Sequence, residues 1–403
     1  MSASSAGSYG AGARVLSVGL ALTGVVTLAY FVLATYALDA RDYGAVSLLW
    51  SITFIVATVI YRPIEQLLAR TVARGHTFGR VPALIQGGFA LGFLIVALAL
   101  RGPLVELFNG SQALYWILVG AVLAYAASYF ARGYLAGSGR FELYGALVFV
   151  EATSRVLFPL AVVLGLASGQ TAVALGIAAA PVLSLLVVPW ALRRRARSAQ
   201  AAQEGLSLRA GSGFAGGVLV IMAAEQTLIN AAVLTTQATA PLLVGVVFNA
   251  LLIVRAPLQL FQAVQGSLLP HLATAKAQEF SRALRVTVLA IAAFAGAVAL
   301  GLLAVGPLVM GVFDIDYDYG RLGLAALGLG MGFHLVAGTL NQAALARDRA
   351  GRAAAAWVVA AVAFVVWLLL PVVDDPVLRM EVGYLGAAAG LAAMLGMTLR
   401  GGG

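Results

Sequence analysis

The chain has 403 residues, of which 62% are hydrophobic and only 10% charged, with a formal net charge of +9. A water-soluble domain needs roughly a quarter of its residues charged to solvate its surface, so a soluble enzyme or binding module is excluded. Cysteine is absent, which removes disulfides and thiolate metal sites from consideration.

The apolar residues fall in runs of about 20 or more, the length that crosses a hydrocarbon core. In chain order they predict membrane helices over 14–37, 44–67, 81–100, 112–135, 142–166, 170–192, 212–235, 241–265, 284–305, 320–346, 352–371 and 381–399. The first run is too long for a signal-peptide core and lacks a cleavage site, so it reads as a retained helix. Only the turn-forming Ser168-Gly169-Gln170 separates the fifth run from the sixth. After the sixth comes the longest polar stretch, 193–211, opening with Arg193-Arg194-Arg195-Ala196-Arg197. It reads as a topology anchor that touches anionic membrane lipids. The expected organisation is an N-lobe over 1–192, a basic cytoplasmic linker over 193–211 and a C-lobe over 212–403.

Charge tests that count independently. With the N-terminus in the cytoplasm, eighteen basic residues fall in cytoplasmic segments, Arg132, Lys276, Arg282 and Arg347 among them. Only Arg41, Arg101, Arg321 and Arg379 fall outside. Asp39, Asp42, Glu106, Asp314, Asp316, Asp318, Asp374, Asp375 and Glu381 take the outer side. This is the positive-inside pattern with both termini in the cytoplasm. The net positive charge therefore reads as orientation and not as a nucleic-acid site. No metal-ligand spacing, phosphate-cradling loop or nucleophile elbow occurs, and His76, His271 and His334 stand far apart. No enzyme, metal or cofactor is expected.

The informative residues are ionisable groups inside the runs, where charge is costly and usually faces a bundle interior or wet cavity. Glu151 and Arg155 lie one turn apart in the fifth run, where pairing to lower their own burial cost competes with a functional role. Arg62 and Glu65 sit toward the end of the second run and could snorkel to the interface. Glu225 in the seventh run and Arg255 in the eighth have no opposite charge within a turn. They lie at similar depth, which predicts an interhelical pair or shared cavity. Asn249 precedes Arg255, Gln226 and Asn230 follow Glu225, and His334 is mid-run with Asn341 and Gln342 beyond it. A packing role for His334 is the alternative. Pro63, Pro159, Pro181 and Pro257 fall inside runs and favour kinks. Arg62-Pro63-Ile64-Glu65-Gln66 and Arg255-Ala256-Pro257-Leu258-Gln259 echo one another, as in a parallel repeat.

The stretch Arg132-Gly133-Tyr134-Leu135-Ala136-Gly137-Ser138-Gly139-Arg140-Phe141, followed by Tyr144-Gly145, Glu151 and Arg155, resembles bacterial polysaccharide flippases. These belong to the multidrug/oligosaccharidyl-lipid/polysaccharide exporter superfamily. Asp42-Tyr43-Gly44, Pro63-Ile64-Glu65-Gln66 with Arg70, and Leu268-Leu269-Pro270-His271-Leu272 are similar to other segments of it. The resemblance implies an all-α polytopic protein with two pseudo-symmetric six-helix lobes around a central cavity. The implied activity is ion-coupled flipping of a polyprenyl-pyrophosphate-linked oligosaccharide across a bacterial cytoplasmic membrane. Arg62, Arg155, Arg255 and Asn249 would hold pyrophosphate and sugar, since guanidinium binds phosphate bidentately. Glu151, Glu225 and His334 would couple to a proton or sodium. A multidrug cation antiporter of the same superfamily and a membrane-embedded glycan polymerase or ligase are the competing readings.

Overall fold

The computed structural model describes Gly19 and residues 22–73, 80–187, 208–255, 277–313, 319–347 and 349–400. Unit 1 contains α1 (Leu22–Ala37), α2 (Ala40–Ala73), α3 (Arg80–Ala99), α4 (Arg101–Leu107), α5 (Gln112–Gly137), α6 (Phe141–Val163) and α7 (Gly169–Ser184). It is followed by α8 (Leu208–Thr239), α9 (Pro241–Arg255), α10 (Ala277–Gly311), α11 (Arg321–Ala346), α12 (Ala350–Leu369) and α13 (Pro376–Arg400). No strand occurs among the described residues. Ten of the helices are long and apolar enough to cross a membrane, and α1 and α9 are shorter apolar helices. Each of the twelve expected runs thus contains a helix, in an all-α polytopic membrane protein. The short α4 was not anticipated. The Arg193–Arg197 cluster, His76, Pro257, the second half of the Arg62/Arg255 echo and the 268–272 motif lie outside the described residues.

Helix boundaries follow local chemistry. The Asp39 carboxylate accepts from the Asp42 N–H at 2.8 Å, Ser111 Oγ from the Leu114 N–H at 3.3 Å, and Asp375 from the Val377 N–H at 2.8 Å. Each cap satisfies a backbone donor left open at a helix start. The tight break between α6 and α7 is carried by Gly165 and Gly169, at φ +72° and +76°, a region glycine enters without strain. Pro63, Pro159 and Pro181 lie within α2, α6 and α7, which continue through them.

The chain forms two compact units, Met1–Met222 and Ala223–Gly403, the division falling within α8. In unit 1, α5 packs on α2 and α7, and α6 packs on α7. The α2–α5 approach depends on Gly133 and Gly137. A Cβ at either would stand 2.7 Å from the Glu65 carbonyl oxygen or 2.5 Å from that of Ala69, and small residues at this spacing bring membrane helices close. In unit 2, α11 packs between α10 and α13, and α12 packs on α13. The peripheral helices expose long aliphatic side chains, Leu84, Leu91 and Ile95 on α3 and Val286, Leu289 and Leu300 on α10. Lipid tails solvate such faces, so no polar coat is needed.

Candidate functional site

In unit 1 a network of polar side chains surrounds one buried carboxylate. Tyr125, Ser128, Tyr129 and Arg132 recur at i, i+3, i+4 and i+7 along α5, which lines them on one face. That face meets Glu151 of α6, a carboxylate 5% exposed. Its Oε1 accepts from the Tyr125 hydroxyl at 2.9 Å and Arg155 Nη2 at 3.2 Å. Its Oε2 accepts from Ser128 Oγ at 3.1 Å and Arg132 Nη2 at 2.6 Å. Two guanidiniums and two hydroxyls therefore hold one anion. Four donors aimed at a carboxylate stabilise its ionised form.

Arg155 is caged on its other faces. Its guanidinium carbon lies 4.5 Å from the Trp50 ring centre and 5.5 Å from that of Phe54, both on α2. Nη2 also donates to the Tyr125 hydroxyl at 2.8 Å. Arg132 lies 4.8 Å over the Tyr129 ring, and Tyr129 shares a 3.2 Å hydrogen bond with Thr58 of α2. On α2, Arg62 and Glu65 stand at i and i+3, on one side of the helix. Tyr144 donates to Glu65 at 2.8 Å. Among these described residues Arg62, Arg132 and Arg155 outnumber Glu65 and Glu151, an excess of one positive charge.

Arg132, counted with the cytoplasmic segments in the sequence although it falls within the run 112–135, is a partner of Glu151. The α5 helix runs on to Gly137, so Arg132 is a helical residue with its side chain 11% exposed, reaching back to Glu151. The signal was present in the α5 spacing of hydroxyls and arginine, which apolar-run counting ignores.

Unit 2 brings together a second group. Glu225 Oε1 of α8 lies 3.8 Å from His334 Nε2 of α11. The imidazole is 2% exposed, and neither ring nitrogen makes a hydrogen bond among the described residues. Its ring stacks on Tyr384 of α13 at 6.4 Å and meets Trp357 of α12 edge-on at 5.4 Å. Trp357 donates to the Asn341 side chain at 3.2 Å, one of the polar residues noted beyond His334.

Arg255, the last described residue of α9, makes no ion pair with Glu225, one of the two arrangements expected of them, the other being a shared cavity. Its Nη1 donates to Asn230 Oδ1 at 3.2 Å, and Nη2 donates to the Ile229 carbonyl. The reason is register: Arg255 meets α8 at Ile229 and Asn230, one turn beyond Glu225. Asn230 Nδ2 in turn donates to Gln226 Oε1 at 3.2 Å. Among the described residues no carboxylate lies within ion-pair distance of Arg255. Asn249 is buried on α9, about 9 Å along the helix axis from Arg255. Tyr384, which stacks on His334, gave no signal in the sequence. No group of three potential metal ligands occurs among the described residues.

No protein-family profile and no curated protein matches the sequence. The fold, in contrast, is similar to solved structures over nearly the whole chain. The eukaryotic MATE transporter AtDTX14 superposes with a TM-score of 0.72 at 14% identity, covering 99% of this chain and 96% of that one. An inward-facing multidrug resistance MATE family transporter of the MOP superfamily gives 0.70 at 11% identity, covering 96% and 99%. The Vibrio cholerae MATE transporter VcmN, as a mutant, gives 0.62 at 15%, covering 98% and 97%. The chain has the two-lobed MATE transporter fold.

Proposed function

We propose, proceeding from this fold, that the chain is a transporter of the multidrug/oligosaccharidyl-lipid/polysaccharide exporter superfamily working by alternating access. Its proposed cargo is a polyprenyl-pyrophosphate-linked oligosaccharide, moved across a bacterial cytoplasmic membrane with both chain termini inside. The N-lobe, 1–192, and the C-lobe, 212–403, would be joined by the basic linker 193–211. The observation that carries the substrate reading is Arg255. A guanidinium within an apolar helix, with no carboxylate within ion-pair distance among the described residues, keeps both its charge and spare donors for an anion. Arg62 adds a second cation in the unit 1 network. Arg155, stacked on Trp50 and held by Glu151, supplies positive field more than free donors.

The coupling role falls to Glu225 and His334, with a proton or sodium as the coupling ion. Glu151 suits it less, because a proton would have to displace two guanidiniums from the carboxylate.

The test is flipping by the purified protein in proteoliposomes, using a fluorescent polyprenyl-pyrophosphate disaccharide and an impermeant quencher. Arg255→Gln should slow flipping at least about tenfold, the loss of one charge-assisted interaction. Failure of the wild-type protein to move this lipid, with ethidium moved instead, would establish the multidrug reading. One observation favours that second reading: the Glu225 carboxylate lies against His334, whose ring packs on Trp357 and Tyr384, and a carboxylate among aromatic groups also suits an organic cation.

A further inference from the structure

We infer that the exposed start of α10 binds an anionic phospholipid, its phosphate held by Arg282 and Arg285 and an acyl chain laid along the helix. This lipid is a partner distinct from the proposed cargo, so the site stands under either transport reading. Arg282 and Arg285 are three residues apart on one side of α10, and both are exposed. Val286 and Leu289, the next outward residues, are 58% and 61% exposed. Ala293 and Leu300 continue the exposed face in phase with Arg282. The opposite side of the helix is the packed one, where Phe280 and Leu284 cluster with Ala343 of α11 and Leu399 of α13.

Two cations one turn apart repel each other. Among the described residues no carboxylate lies within ion-pair distance of either. Arg347 brings a third positive charge to this end of α10, its guanidinium carbon 4.1 Å from the Phe280 ring centre. Glu279 is the one acid on the helix. The described groups there therefore hold an excess of two positive charges. A phosphate between Arg282 and Arg285 accepts from both guanidiniums and removes their repulsion.

Helical rise supplies the second half of the fit. Ala293 lies about 17 Å along the axis from Arg282, roughly half of a hydrocarbon core about 30 Å thick. A headgroup at Arg282 thus sets an acyl chain on an apolar face one leaflet deep, an advantage that a free phosphate lacks. In the proposed topology this is the inner leaflet, the one rich in anionic lipid.

The chain has no cysteine, so Leu289→Cys places a single fluorophore beside the site. In phosphatidylcholine vesicles, brominated phosphatidylglycerol and brominated phosphatidylcholine are compared as quenchers. Each arginine near an anionic headgroup gives roughly a fivefold preference, so the glycerol lipid should half-quench at about thirtyfold lower mole fraction. A label at Leu300→Cys, on the same face toward the other leaflet, should show no preference. That comparison needs no arginine variant and decides the question if such variants fold poorly. Arg282→Gln with Arg285→Gln should abolish the preference at position 289. Arg321→Gln with Arg352→Gln removes the same charge from exposed residues elsewhere and should keep it. Equal quenching by the two lipids at position 289 overturns the inference. Equal loss of preference in both double variants would trace it to general surface charge and overturn it too. Relief of quenching by inorganic phosphate would identify a site for the free anion and overturn the lipid assignment.

Discussion

The two units treat buried charge in opposite ways. In unit 1 a single carboxylate, Glu151, is clasped by Arg132, Arg155, Tyr125 and Ser128, with every bond at 3.2 Å or less. In unit 2 the acid and the histidine stand 3.8 Å apart, and the arginine turns to an amide and a carbonyl. A tightly satisfied ion pair resists change, because either partner left alone is costly in a dry interior. A loosely satisfied one can change protonation or partner at little cost. The contrast is one of packing: the charges of unit 1 are tightly clasped, and those of unit 2 are loosely held.

The most severe way to break the comparison is Glu151→Gln. It leaves Arg132 and Arg155 as like charges without their counterion, and should cost about 3–5 kcal/mol. Thermal unfolding in detergent, or loss of folded protein on expression, would register it. A stable Glu151→Gln protein would mean that unit 1 is no more rigid than unit 2. Next is Gly137→Val on α5, which drives a side chain into the Ala69 carbonyl of α2. Overpacking of this kind should cost about 1–3 kcal/mol, read in the same unfolding assay.

Arg255→Gln is expected to shift stability by only about 1 kcal/mol or less, since the lost hydrogen bonds are offset by removing a charge from hydrocarbon. Its effect belongs in the flipping assay. A large loss of stability with unchanged flipping would make Arg255 a structural residue and erase the distinction between the units. Smallest is Tyr144→Phe, which removes one interhelical bond to Glu65 and should cost about 0.6 kcal/mol, the average for such bonds in membrane proteins. A double-mutant cycle with Glu65→Gln would isolate that coupling.

Much of the fold was legible before any coordinates. The Ser168-Gly169-Gln170 turn correctly divided two apolar runs, and α1 and α9 appear within the runs expected for them. Glu151 and Arg155 were recognised as a pair from their i, i+4 spacing alone, and the 3.2 Å contact follows from one turn of helix. The partners contributed by other helices were not legible. Arg132 was counted with the cytoplasmic segments because it stands near the end of an apolar run, and Tyr384 was unremarked because a lone tyrosine in such a run carries no charge signal. Glu225 and Arg255 were matched to each other by depth, whereas contact is decided to within a single turn.

The amino-acid sequence by itself determined that this is a membrane protein of twelve helical runs and which ionisable groups lie within them. Hydropathy is a local property, and a charge inside an apolar run declares itself wherever the run folds. The tertiary structure alone decided which charges are clasped and which are loosely held. Helices apolar on every side have no polarity pattern to fix their rotation, so side-chain partners are set by interhelical packing and register.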